Sequence, residues 1–469
     1  MSSGSVTKRP MGSNDPRHAA GPPSGERSAL DRLLLPVDRP VLDARAGSGP
    51  PTWLATADGW QLLVRPRKLE AQGEELMRFV QPSGAYVTAW FDPGQGAVRI
   101  PFDLDEAYRA YVTEEWKAHR SVRALSPQQL QLYYRFKRVV PRRWRLAARR
   151  VFARRTGLPA FPKWPLDESV DRLLRFYALC LLAAGGSTHA PFRWFWPRSH
   201  SAAVMLTHDV ESAAGLRLAI DIADLEQERD FRSSFNIVGG EYPIDMGVVR
   251  ELEGRGFEIG LHGLHHDRSL FSSREEFERQ LPQLRTAARE LGTVGFRSPA
   301  THRVVEWLSE LPAAYDGTMF HSDPYEPQPG GCCTLWPFRL GPLVELPYTV
   351  PQDHTLFTLL RERSAQTWLT LAGEIEERHG LIHCLSHPDP GYLGETENRG
   401  RYVEFLEALA ERPRLWRALP REVASWWLRR ETPAATDADV ALGTMRRDGP
   451  NVWFEPPTDD ASETSADAS

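Results

Sequence analysis

The chain is 469 residues long, more than one ordinary single-core domain, so two folded units flanked by tails are expected. Its 41% hydrophobic, 10% aromatic and 25% charged residues describe a globular protein and exclude a wholly disordered, collagen-like or coiled-coil chain. The net charge of −5 leaves no global basic field, and nucleic acid is not an expected partner.

Residues 1–30 hold six Ser, four Gly and four Pro, too little to build a core, and a disordered tail is expected there. They lack the apolar stretch of a secretory signal. No run of about 18 apolar residues occurs anywhere, so no span is expected and the cytoplasm is the expected compartment. Cys180, Cys332, Cys333 and Cys384 offer no disulfide framework and no CxxC spacing, which suits a reducing compartment and a packing role.

Residues 31–198 read as an α+β N-terminal accessory domain. Residues 60–64 and 85–91 alternate in the manner of strands, the second stopped by Asp92-Pro93-Gly94. From Asp103 the pattern turns helical, and Ser126-Pro127 opens a further helix. Residues 135–155 contain ten Lys or Arg and no acid, interleaved with Phe136, Trp144, Leu146, Val151 and Phe152. A solvated helix face with core-packed aromatics is the first reading, because Pro141 interrupts the period. Peripheral contact with anionic lipid, or with a phosphorylated glycan, is the second. The apolar run 176–184 is half the length of a span and reads as a buried helix.

From residue 199 the texture changes to alternating strands and helices. Seven short apolar runs stand at 203–208, 234–238, 257–261, 294–297, 314–320, 343–346 and 381–386. Helical stretches separate most of them, one opening with the capping signal Ser272-Ser273-Arg274-Glu275-Glu276. The pattern predicts an α/β fold, a distorted (β/α) barrel of about seven strands over 199–430. No Gly-rich phosphate loop follows a strand, which argues against a nucleotide-binding sheet. Residues 431–469, with nine acids and two Arg, read as an acidic, disordered tail in which Val452-Trp453-Phe454 can dock.

In such folds the reactive residues sit at the C-terminal ends of strands. The first strand ends Thr207-His208-Asp209-Val210-Glu211, the third His262-Gly263-Leu264-His265-His266-Asp267, the fourth Arg297-Ser298-Pro299 and the seventh Ser386-His387-Pro388-Asp389. His262 and His266 are four apart, a spacing that puts both rings on one face of a helical turn. With a carboxylate from Asp209 or Glu211 they make a two-His, one-carboxylate set that suits Zn²⁺, and also Fe²⁺, Co²⁺ or Ni²⁺. An Arg297 next to a buried acid would keep that acid ionised. His208 and His265 receive no role.

These residues resemble the polysaccharide deacetylase family, also called the NodB-homology or carbohydrate esterase family 4 domain, in a divergent bacterial form. Thr207-His208-Asp209-Val210-Glu211 stands where the family carries TFDDG, and His262-Gly263-Leu264-His265-His266 resembles its H-[ST]-x-x-H with Gly263 in the hydroxyl place. Arg297-Ser298-Pro299 is similar to its RxP, Leu385-Ser386-His387 to its LxH, and 416–427 to its terminal helix. The loops 323–331 and 351–354 look like those of a divergent subgroup.

The resemblance implies metal-dependent removal of an N-acetyl group from an amino sugar in a glycan or its precursor. Asp209 would be the general base, held ionised by Arg297, and His387 the proton donor to the leaving amine. His262 and His266 would hold the metal with Glu211, or with Asp209 itself, because Val210 occupies the place of the family's second acid. Asp316 and Asp323 are the candidates to orient His387. The alternatives are a cyclic amide or ureide hydrolase acting on a small metabolite, and a glycan-binding protein without turnover.

Overall fold

The computed structural model describes residues 28–120, 144, 146–151, 157–433 and 437–458. The expected N-terminal tail and the helix starting at Ser126-Pro127 lie outside them. Of the basic stretch 135–155, only Trp144 and 146–151 are described, and these are helical.

A first sheet gathers β1 (Leu42–Ala44), β2 (Thr52–Ala55), β3 (Gln61–Val64), β4 (Glu74–Val80), β5 (Tyr86–Asp92) and β6 (Ala97–Ile100) in the order β1-β6-β5-β4-β2-β3. The two runs read as strands are β3 and β5. Helix Leu104–Val112 follows, with the Asp103 carboxylate accepting the Glu106 N–H as its N-cap. Helix Ser169–Ala184, apolar around most of its circumference, is buried against this sheet. There Phe79 meets Phe102 and Phe176 edge to face at 5.1 and 5.6 Å.

β7 (His189–Arg193) leads towards the second unit. There β8 (Ala202–Val210), β9 (Ser234–Ile237), β10 (Glu258–Leu261), β11 (Gly295–Phe296), β12 (Tyr315–Asp316), β13 (Phe338–Leu340), β14 (Leu343–Glu345) and β15 (Leu381–Ser386) pair in the order β13-β14-β12-β11-β10-β9-β8-β15. β16 (Leu415–Arg417) also pairs with β8. All neighbours are parallel except β13 with β14. Six of the seven apolar runs contain one of the parallel strands, and the first, 203–208, lies inside β8. β8, β9, β10 and β15 are buried along their whole length, which is why they read as continuous apolar runs rather than as alternation. The sheet does not close by strand pairing. Instead the chain after β14 reaches the far edge, where the Thr349 and Val350 N–H groups donate to the His383 carbonyl of β15 at 3.1 and 3.3 Å. Helices Ala213–Gln227, Met246–Gly254, Arg274–Glu290, Gln366–Glu377, Thr396–Ala410 and Pro420–Glu431 complete the unit. Ser273 caps Arg274–Glu290 by accepting the Glu276 N–H at 3.2 Å, as the capping signal predicts.

The expectation of a disordered tail from 431 needs correction. Helix Pro420–Glu431 runs into it, and β17 (Leu442–Asp448) and β18 (Asn451–Glu455) form a hairpin beyond it. β17 pairs antiparallel with β7, making a three-stranded sheet. Of the nine acids only Asp448 and Glu455 belong to the hairpin, exposed and part-exposed, while Met445, Val452 and Phe454 are buried, so the acidic bias that misleads comes mostly from residues outside it. Residues 459–469 lie outside the described part. All four cysteines are buried and unpaired.

Candidate active site

The C-terminal ends of the parallel strands bring Asp209, Glu211, His262, His266, Arg297 and His387 together. Asp209 and Glu211 leave the end of β8 two residues apart. Asp209 Oδ1 accepts from Asn236 Nδ2 of β9 at 2.9 Å, and Arg297 Nη1 stands 3.7 Å from the same oxygen. Burial alone would raise the Asp209 carboxyl, but His262, Arg297, His387 and the Asn236 hydrogen bond outweigh it and hold it below the usual range.

His262 and His266 do not lie on a helical turn. The chain from 262 to 266 is an irregular loop, and Gly263 takes a left-handed φ of +68°. A Cβ there would come within 2.9 Å of the Pro299 ring, so glycine is required by both backbone and space. The two imidazoles still converge, with ring centroids 5.4 Å apart. His262 Nδ1 lies 3.1 Å from the Arg297 carbonyl, to which it can only donate, leaving Nε2 as the acceptor nitrogen. That Nε2 is buried and has no hydrogen-bond partner. Burial, the largest effect, pulls His262 down to about 4, so the ring is neutral at pH 7.

The donors stand as two pairs. His266 Nε2 lies 2.9 Å from Glu211 Oε1, and His262 Nε2 lies 3.7 Å from Asp209 Oδ2. Ligands at about 2.0–2.2 Å from a tetrahedral ion stand about 3.3–3.5 Å from one another, between these two spacings. Among the described residues no three His, Cys, Asp or Glu side chains are already drawn into one closed metal-binding cluster. The chemistry of the set, two imidazoles and two carboxylates around an unpartnered neutral nitrogen, nevertheless fits a divalent cation.

His387 closes the site at the end of β15. Its Nδ1–H donates to Asp353 Oδ1 at 2.7 Å, and its backbone N–H donates to Asp353 Oδ2 at 3.1 Å. Burial disfavours the charged ring, but Asp353 first, then Glu211 and Asp209, raise His387 to about 10. Its Nε2 lies 3.9 Å from Glu211 Oε1, so the proton-bearing nitrogen faces the carboxylates. Tyr392 packs beside the ring at 4.8 Å between centroids.

Neither candidate for orienting His387 does so. The Asp316 carboxylate accepts from the Thr318 hydroxyl at 2.6 Å, and burial raises its carboxyl. Asp323 accepts from the Tyr325 N–H at 2.7 Å in a loop of its own. Asp353 takes the part, from the 351–354 loop that the sequence marks only as a family-like turn. Asp389 is a further missed contributor: it accepts the Glu211 N–H at 2.9 Å and the Ser212 hydroxyl, fixing the chain that carries Glu211.

Arg297 is 2% exposed and is buttressed by His383, whose Nε2 accepts from Arg297 Nη2 at 3.0 Å. The same nitrogen lies 2.9 Å from the Thr207 hydroxyl, and Nδ1 lies 3.1 Å from the Leu346 carbonyl. Burial pushes His383 well below its usual value, so it serves as a neutral acceptor. After Pro299 the chain takes two left-handed residues, Ala300 at φ 49° and Thr301 at φ 52°. Such positions cost about 1–2 kcal/mol each for residues with a Cβ, and strain of this kind gathers at functional sites. His208 points away, between Ser386 and the buried Glu226, as a core residue. His265 is exposed.

No family model and no curated protein matches the chain. Solved structures do. One, from Mycobacterium smegmatis, carries polysaccharide deacetylase as a provisional name; it is 18% identical over 49% of this chain and 91% of its own, with a TM-score of 0.41. The Puue allantoinase is 15% identical over 51% and 94%, with a TM-score of 0.40. The peptidoglycan deacetylase PdaC from Bacillus subtilis is 13% identical over 49% and 93%, with a TM-score of 0.34. The structural neighbours of this chain are thus mainly polysaccharide deacetylases, carbohydrate esterases of family 4 among them, together with an allantoinase.

Proposed function

We propose that the protein is a metal-dependent hydrolase that removes an N-acetyl group from an amino sugar in a glycan or glycan precursor. One observation carries the reading. An ionised carboxylate, Asp209, and a protonated imidazole, His387, are held in one buried site beside an unpartnered neutral His262 nitrogen. Amide hydrolysis needs an acceptor for the water proton and a donor for the leaving amine, and this set provides both.

His262 Nε2, His266 Nε2 and Glu211 Oε1 would hold the ion, of which Zn²⁺ is the first candidate and Fe²⁺, Co²⁺ or Ni²⁺ the others. A divalent ion bound there supplies Lewis acidity and lowers the pKa of a coordinated water towards ~7. Asp209 accepts the proton of the attacking water, and Arg297 keeps it ionised for that task. A backbone N–H after Pro299 donates to the oxyanion as the carbonyl becomes tetrahedral. His387 passes its Nε2 proton to the departing nitrogen, while Asp353 holds the ring in the right tautomer and orientation. Glu211 is assigned to the ion and Asp209 to the proton because Asp209 is already engaged by Asn236 and Arg297, whereas Glu211 pairs with His266 and keeps 24% exposure.

The test combines metal analysis with acetate release from N-acetylated sugar oligomers. Asp209→Asn should keep the metal and lose turnover by a factor of about 10²–10⁴. His262→Ala and Glu211→Gln should lose both. Full metal occupancy in His262→Ala, or turnover of small ureides without acetate release, would sink the reading.

A further inference from the structure

The strained turn after Pro299 is held at two points, and one of them leads out of the barrel into the N-terminal unit. Ala300 and Thr301 are both left-handed, at φ 49° and 52°. A β-branched residue in that region persists only where its surroundings over-determine it. Two bonds do so. The Thr301 hydroxyl donates to Glu326 Oε2 at 3.0 Å, and the Thr301 carbonyl accepts from Arg303 Nη1 at 2.9 Å. Glu326 in turn accepts from Gln352, the neighbour of Asp353. Arg303 is buried, and its two other guanidinium nitrogens are taken by Glu114, Nη2 donating to Oε1 at 2.6 Å and Nε to Oε2 at 2.9 Å. A planar guanidinium gripped by both oxygens of a carboxylate has one direction left for its third nitrogen, and here that direction is the Thr301 carbonyl. Glu114 is itself fixed by the Gly331 N–H at 2.8 Å and by Lys117 at 2.7 Å.

The turn matters for its amides. Thr301 and His302 donate their N–H groups back to the Ser298 and Pro299 carbonyls at 3.0 and 3.2 Å, so Ala300 carries the amide that the reaction would draw on for the oxyanion. We propose that Glu114 of the N-terminal unit is a positioning residue of the active site: through Arg303 it holds the left-handed turn at 300–301 and so aims that amide. The role in turnover rests on the functional reading above, while the hold on the turn does not. The N-terminal half is then part of the working site rather than an accessory to it. Without the Glu114 carboxylate the Arg303 fork loses its fixed direction, the Thr301 carbonyl loses its donor, and the strain at 300–301 relaxes.

Kinetics and crystallography of full-length variants test it, with every assay run below the melting transition of the variant concerned. Glu114→Gln should lower kcat by about 10–10²-fold, with KM and metal content close to the parent. Its crystal structure should show Ala300 or Thr301 out of the left-handed region. Glu114→Asp keeps the charge but shortens the reach, so it should show the same changes to a smaller degree and serves if Glu114→Gln does not fold. Adding Ala300→Gly to either variant should restore part of the lost kcat, because glycine holds a left-handed φ without help. Thr301→Ser, which keeps the hydroxyl for Glu326, should retain more kcat than Thr301→Ala. A turn still left-handed in the Glu114 variants, or a kcat within about twofold of the parent, would overturn the proposal. So would a double variant no faster than the Glu114 variant alone, which would assign the loss to instability. A parent that releases no acetate would refute the reaction, and a turn that relaxes in Glu114→Gln would still establish the hold of Glu114 upon it.

Discussion

At the scale of single residues, the site is built by pairing each reactive group with a partner that fixes its protonation. Arg297 and Asn236 keep Asp209 charged, the Arg297 carbonyl fixes the His262 tautomer, and Asp353 keeps His387 protonated. In the proposed reaction Asp353 would act through the imidazole rather than on a reacting atom, as a positioning residue. Asp353→Asn should leave metal content and KM close to the parent and lower kcat by about 10²–10⁴, as the ring loses both orientation and charge support. Steady-state kinetics with metal analysis check this; an unchanged kcat would remove Asp353 from the machinery. The strand-end rule made Asp209, His262, Arg297 and His387 legible because each follows an apolar run directly. Asp353 follows no such run, since the chain after β14 reaches β15 as irregular backbone, and sequence periodicity is silent there.

At the scale of elements, apolar runs located the parallel strands well because strands buried on both faces need no alternation. Two features escaped. The His262–His266 spacing suggests a helical turn, yet Gly263 breaks the helix and the rings converge through a loop. The β17–β18 hairpin does alternate, with Met445 and then Val452 and Phe454 inward, but the acidic bias around it masked the period. Elements of the two halves also lock in a way no local pattern announces. Glu114, just past helix Leu104–Val112, accepts from Arg303 at 2.6 and 2.9 Å and pairs with Lys117 at 2.7 Å. Burial would raise Glu114, but Arg303 and then Lys117 outweigh it and bring the carboxyl to about 2, against 4.5 in an ordinary setting. A depressed carboxyl contributes stability that is complete above its unfolded value and is lost as pH falls through the folded one. Glu114→Gln should therefore cost about 3–5 kcal/mol at pH 7, leaving Arg303 buried without its counter-charge. The difference from the parent should shrink between about pH 4.5 and 2. Urea titrations at several pH values measure it, and a pH-independent difference would assign the effect to packing instead.

At the scale of the whole molecule, the boundary near residue 198 separates two sheets but not two independent bodies. β7, from the first part of the chain, is hydrogen-bonded to β17 from its end. Arg430 is fully buried and donates to the carbonyls of Leu33, Arg193 and Trp194 at 2.8, 2.9 and 2.7 Å, tying helix Pro420–Glu431 to both regions. Arg175 of helix Ser169–Ala184 donates to the Val452 carbonyl at 2.6 Å, and the Asp167 N–H donates to His321 Nε2 at 2.7 Å. Phe454 fills the seam, 5.4 Å from Phe192 and 5.8 Å from Phe195 between centroids. Removing residues 437–469 would strip Met445, Val452 and Phe454 from this seam and leave an unpaired β7 edge. At about 1.5–3 kcal/mol per buried side chain the loss is roughly 5–9 kcal/mol as an upper bound, comparable to the whole stability of a typical domain. The truncated chain should therefore fail to fold or melt far below the parent, and a fragment ending at 198 should not fold alone. In calorimetry the full chain should melt with both units in one transition. Two well-separated transitions, or a stable truncated chain, would show that the seam is a contact between independent domains.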